Sequence, residues 1–189
     1  MSDHPKRPHA EMLNRATAIK HELTPFVERI AIAGSIRRGK AECADIELVA
    51  IPRMGTARKP GELLPRHVDL LDHYAREQVE ASRWQPRLDK NGRAALGDRY
   101  KRLLVDGVPL DLFSVLPPAS FAVILLIRTG PAEFSREMVT QRSKGGHLLD
   151  GYRVQEGAIR SVTGAVEIES EEDWFDLCGM DYVPPEDRR

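Results

Sequence analysis

The chain has 189 residues, with 28 Lys and Arg against 29 Asp and Glu, a formal net charge of −1 and two cysteines. That length supports one sizeable domain, or a larger domain with a small appendage. The sequence has no apolar run of membrane-spanning length and no apolar signal segment in its first twelve residues, and Cys43 and Cys178 fit no metal-ligand spacing; a soluble protein of a reducing cytoplasmic or intracellular compartment is expected, with no disulfide scaffold and no membrane partner.

Charge is unevenly spread. From Glu167 onward there are nine acids and two arginines, which leaves 26 basic against 20 acidic residues in the rest. Seven basic and two acidic residues fall between Arg83 and Arg102. Local patches of this kind, more than totals, decide contacts with phosphates.

In chain order, Met12, Leu13, Ala16, Ile19 and Leu23 recur at intervals that predict an amphipathic helix ending near Pro25. A short apolar strand, Ile30 to Ala33, then breaks at Gly34-Ser35, is followed by Arg37, Arg38 and Gly39, and gives way to the apolar run Ala44 to Ile51, interrupted by Asp45 and Glu47. Period two puts both acids on one face of a strand, about 7 Å apart. Two like charges on a core-forming strand repel and cost desolvation unless a cation neutralises them. Mg²⁺ suits carboxylates completed by water and substrate phosphates. The Gly-Ser turn and the guanidinium groups of Arg37 and Arg38 offer what a triphosphate needs. A bare Asp-x-Glu pair would fit the solvent face of an edge strand; joined to GSIRRG at this spacing, the cation reading prevails.

Arg53 to Gly61 reads as a basic, turn-rich loop, and Leu63, Leu64, Val68, Leu71, His73, Tyr74 and Val79 as a helix, clearest from Leu71, with His67 and His73 as decoration. Trp84 to Leu96 reads as strand and loop with a turn at Asn91-Gly92. GDRYKRLLVDGVPLDLFSV reads as two antiparallel strands turning at Asp106-Gly107. Asp111, inside the apolar second strand, needs compensation as Asp45 does, and a strand beside that of Asp45 would bring it to the same cation. Pro117-Pro118 is expected to open the apolar helix Ser120 to Ile127, and a second helix to cover Ala132 to Arg142. Ser170 to Asp173 forms a capping box before Trp174, Phe175 and Leu177, and Gly179 closes that helix.

G-S-x-R-R-G-K followed by D-h-E-h resembles the palm signature of family X DNA polymerases, within the nucleotidyltransferase superfamily. Gly34, Ser35, Arg37, Arg38, Gly39, Lys40, Asp45 and Glu47 carry it, with Ala44 where the family has Gly and Glu47 where it has Asp. Asp111 matches the third acid. Thr129-Gly130 matches the turn beside the nucleoside pocket, although Ile127 and Arg128 replace the usual aromatic pair and Ser135 a common Asn. GGHLLDGY and the MDYVPPEDRR ending resemble the thumb.

The resemblance implies an α+β fold. A nucleotidyltransferase palm with a mixed sheet flanked by helices would span residues 1–118, and a thumb-like subdomain residues 119–189. It implies transfer of deoxynucleotides from dNTPs to a primer 3′-hydroxyl with two Mg²⁺ ions, Mn²⁺ being an alternative, held by Asp45, Glu47 and Asp111. Nucleotide contacts fall to Gly34, Ser35, Arg38, Ala44, Arg128, Thr129, Gly130 and Ser135, and contacts to primer-template or gapped DNA to Arg99, Lys101, Arg136, Arg142 and Lys144. A monomer acting in DNA repair is expected, without lyase activity and with weak grip on DNA. Rivals are a small-molecule or template-independent nucleotidyltransferase and a catalytically silent nucleotide- or DNA-binding module.

Overall fold

A computed structural model describes residues 5–57, 64–89 and 91–188. A two-residue strand, β1 (Arg7–Pro8), leads into α1 (His9–Leu23), which buries Met12, Ala16, Ile19 and Leu23 as the periodicity predicts, while Leu13 turns outward. A 3-10 turn through Pro25 ends it. Next come β2 (Val27–Ile32), the short helix α2 (Gly34–Arg37), β3 (Glu42–Cys43) and β4 (Ile46–Pro52). β5 (Met54–Ala57) pairs with β6 (Arg66–Asp69), and α3 (Leu70–Glu80) follows. β7 (Trp84–Pro86), β8 (Tyr100–Val105) and β9 (Val108–Ser114) complete the N-terminal part.

Four expectations shift. Met54 to Ala57 is a strand instead of loop, and residues 58–63, with the rest of that loop and Leu63, lie outside the described residues. The helix expected from Leu63 starts at Leu70, because the Asp69 carboxylate caps it by accepting from the Asp72 N–H at 2.8 Å; Val68 and His67 belong to β6. Pro117 and Pro118 stand in a turn ahead of α4 (Phe121–Thr129). The helix expected to reach Arg142, α5 (Ala132–Val139), ends where Thr140 turns extended, and a 3-10 turn covers Arg142–Lys144. The meander β10 (Arg153–Gln155), β11 (Ala158–Ser161) and β12 (Gly164–Val166) then leads to α6 (Glu171–Leu177), whose Ser170–Asp173 capping box is present in both directions.

The main sheet has the order β2-β4-β9-β8-β7; β4 and β9 run parallel and the other neighbours antiparallel. Period two divides its side chains between two faces. Ile46, Leu48, Leu103, Leu110 and Leu112 pack on α1 and α3 through Met12, Ala16, Leu23, Leu71 and Ala75. Val49 and Phe113 pack on Phe121 and Leu125 of α4. The other side of α4, with Ala122, Val123 and Leu126, enters a C-terminal cluster with Phe134, Met138, Ile159, Trp174 and Phe175. The fold is α+β, a mixed sheet with helices on both faces and a smaller C-terminal helix-and-meander unit joined to it through α4. Among the described residues no helix is long and apolar enough to cross a membrane.

Candidate active site

The parallel register sets Glu47 of β4 directly opposite Asp111 of β9. Glu47 shares a face with Val49 and Asp111 with Phe113, so both acids lie on the side of the sheet that α4 covers, and Asp45 precedes Glu47 by two positions. Burial, reinforced by the charges of Asp45 and Asp111 and partly offset by Arg128 and Arg38, pushes the Glu47 carboxyl up to about 7. The three acids therefore share one field. Among the described residues, no three Asp, Glu, His or Cys side chains are gathered as they stand into a group that could hold a metal ion.

Asp111 is instead engaged with neighbouring side chains. One of its carboxylate oxygens lies 3.2 Å from an Arg87 guanidinium nitrogen and 3.7 Å from Arg102 Nε, and the other accepts the Tyr100 hydroxyl at 2.7 Å. Burial, then this bond and the Asp111 charge, push the Tyr100 phenol well above its ordinary range. The donor chemistry nonetheless fits a hard divalent ion: three carboxylates in one neighbourhood, one of them pushed up to about 7 by burial first and by the other two next, with arginines close by.

The turn beside these acids is shaped by one close approach. Gly34 has φ +64°, and a Cβ there would fall 1.8 Å from Glu47 Oε2, so the backbone of α2 sits directly on the Glu47 carboxylate. The Ser35 hydroxyl is buried without a hydrogen-bond partner. Ser35, Ala44 and Asp45 line a cavity of about 450 Å³ whose rim also carries Lys6, Lys40, Ala41 and Glu42. Lys6 is there because β1 pairs with β3, setting Arg7 opposite Cys43. That ladder is two residues long and left no periodic trace for sequence reasoning to find.

The two arginines of the turn diverge. Arg38 donates to the Thr129 carbonyl while its Nε is buried and unpartnered; burial lowers its pKa against the pull of Glu47 and Asp45. Arg37, expected near a triphosphate, is turned the other way. It donates to Glu171 at 2.5 and 2.9 Å and to the Thr129 hydroxyl at 2.7 Å, and Glu171 also binds Arg188, which is fully buried. Burial would raise the Glu171 pKa, but the hydrogen bonds from Arg37 and Arg188 outweigh it and hold it below the usual range.

Three further expectations need correction. Thr129 is fully buried against Arg37 instead of lining an open pocket, and at Gly130 a Cβ would meet Phe134 and Ser135 at 2.7 Å, so this turn joins α4 to α5 by packing. Ser135 is buried, and its hydroxyl donates to the Ile127 carbonyl at 2.8 Å, which takes it away from a base edge. Lys101 is 1% exposed and paired with Asp72 at 2.8 Å on the α3 side of the sheet, because it alternates with Tyr100 and Arg102; it is a buried structural cation and no contact for DNA. Arg128 lies over the Phe113 ring at 4.1 Å, within the field of Glu47. Arg99, Arg136 and Lys144 are exposed, and Arg142 spends one nitrogen on the Cys178 carbonyl.

A carboxylate-bearing mixed sheet beside a Gly-Ser turn is thus joined through one helix to a capped C-terminal unit. Residues 124–189 match the family model described as DNA polymerase beta thumb. The chain is 28% identical over 167 residues to DNA polymerase lambda of Rattus norvegicus, an alignment covering 82% of this chain and 28% of that protein. The chain is thus similar to that polymerase over most of its own length while spanning little more than a quarter of the relative.

Proposed function

We propose that this chain is a nucleotidyltransferase of the family X type, which adds deoxynucleotides from dNTPs to the 3′-hydroxyl of a primer on template or gapped DNA, in the setting of DNA repair. The observation that carries the reading is the register that sets Asp111 opposite Glu47, two residues beyond Asp45, where burial and the two neighbouring carboxylates together push the Glu47 carboxyl up to about 7.

In this reading residues 1–118 are the palm and residues 119–189 the thumb, with α4 shared between their cores. Asp45, Glu47 and Asp111 would hold two Mg²⁺ or Mn²⁺ ions. Ions so held supply the positive charge that stabilises the attacking and leaving oxygens of an in-line displacement. The unpartnered Ser35 hydroxyl and Arg38 Nε, with Lys6 and Lys40 at the rim, bind the β and γ phosphates. The backbone at Gly34 and Ala44 lets the triphosphate approach closely, and Arg128 orients it from the α4 side. Asp111 accepts the 3′-hydroxyl proton as the new O–P bond forms and pyrophosphate departs. Arg99, Arg136, Arg142 and Lys144 meet DNA phosphates.

The test is extension of a recessed primer by labelled dNTPs with Mg²⁺ or Mn²⁺, alongside the same primer single-stranded. Templated products that Asp111→Ala reduces by about a hundredfold or more support the reading, since the chemistry rests on positioning and charge stabilisation. Addition to single strands alone points to a terminal transferase. Full activity in Asp111→Ala would overturn the role of Asp111. Binding of dNTP and DNA without turnover would favour a silent binding module, a reading to which the occupied state of Asp111 lends its one observation.

A further inference from the structure

Arg87 lies in the basic stretch expected to meet phosphates and is not singled out by sequence, yet it makes the shortest ion pair to Asp111 among the described residues. It follows β7 directly, and its position is set by backbone bonds on both sides. Its N–H donates to the Arg102 carbonyl at 2.8 Å, and its carbonyl accepts from the Ala95 N–H at 3.0 Å. Its side chain is 15% exposed and that of Asp111 13%, so the pair is largely withdrawn from water. With Tyr100 on the second oxygen, both acceptor atoms of Asp111 are engaged. Arg102 Nε, 3.7 Å from the first, is itself buried without a hydrogen-bond partner.

A carboxylate so engaged accepts a divalent ion only by giving up at least one of these bonds. Once it does, a dication and a guanidinium a few ångström apart repel strongly in a poorly solvated site. Arg87 then has to leave, and leaving a buried guanidinium without an anion is costly. Arg87 belongs to the basic stretch from Arg83 to Arg102, and on the proposed function the anion that reaches this stretch is a DNA phosphate.

We propose that Arg87 is an exchangeable positioning residue, which occupies Asp111 while the site lacks metal and, on metal entry, transfers to a phosphate of the DNA strand. The inference rests on the reading of the three acids as metal ligands. It makes metal and DNA bind cooperatively, each raising affinity for the other by the same factor. It also means that Arg87 opposes metal binding when DNA is absent.

The test measures Mn²⁺ affinity of the full chain by electron paramagnetic resonance of free Mn²⁺, with and without a recessed duplex and with no nucleotide present. Fluorescence anisotropy of the duplex is followed in parallel. In the native chain, DNA should tighten Mn²⁺ by about fivefold or more, the lower end of ordinary coupling. Arg87→Gln should bind Mn²⁺ tighter than the native chain by a similar factor without DNA, bind DNA more weakly with Mn²⁺ present, and lose most of the coupling. Arg87→Lys, which keeps the charge, should restore much of it. An arginine that merely supports the fold would weaken both ligands together.

Tyr100→Phe, which keeps the ring stacked on Phe113 at 4.7 Å and removes only the hydroxyl, should also tighten Mn²⁺ and leave DNA binding intact. It serves as the readout should Arg87→Gln fail to fold. If neither variant tightens Mn²⁺ while Asp45→Asn abolishes it, the exchange is wrong and the metal site stands. If the native chain binds no Mn²⁺, both readings fall.

Discussion

Glu47 concentrates the cost of the site in one side chain. Its folded pKa of about 7 lies above the ordinary 4.5, so the native state holds a proton that the unfolded chain has released. Without metal, stability should therefore fall as pH rises from about 4.5 to about 7 and level off beyond, because the native state binds more protons in that window. Glu47→Gln removes the penalty. Urea unfolding of the metal-free chain should show the variant gaining on the native protein across that window, by at most about 3 kcal/mol at pH 7 and above. A difference that stays constant with pH would mean that Glu47 ionises normally. Sequence alone predicts the conflict between Asp45 and Glu47, because period two is insensitive to context. The hold of Arg87 and Tyr100 on Asp111 escapes it, since it depends on how the end of β7 and the strand β8 are registered alongside β9.

At the scale of elements, α6 is held from both ends of the chain. Its first residue, Glu171, receives Arg37 from α2 and Arg188 from the C-terminal segment, with 5% of the Glu171 side chain exposed. Removing one partner of a buried charge group leaves the others uncompensated, so Glu171→Gln should cost about 3–5 kcal/mol in chemical denaturation. A loss under 1 kcal/mol would show that the two arginines find water instead. The cap of α6 could be read from Ser170 and Asp173 because a capping box is local chemistry. The arginines could not, since they lie 134 residues before Glu171 and 17 after it. The same limit explains β6: Val68 stands three residues before Leu71, a helical spacing, and only the Asp69 cap and the partner strand β5 show it to be extended.

For the whole molecule, an almost neutral total hides a division between the acidic C-terminal segment and the more basic remainder. If the remainder meets DNA, the logarithm of affinity should fall linearly with the logarithm of salt concentration. Arg136→Ala and Lys144→Ala should each reduce that slope by about one. Affinity that ignores salt would remove DNA from the reading. Both margins of the chain are also committed. The β1–β3 ladder holds Lys6 at the rim of the Ser35 cavity, and Arg188 is sealed beneath α6. On the proposed function, a purification tag or immobilising anchor fused close to Lys6 would crowd the cavity assigned to the triphosphate, and one fused close to Arg188 would pull on its buried pairing with Glu171. An internal attachment point, such as the exposed turn at Val162, leaves both undisturbed.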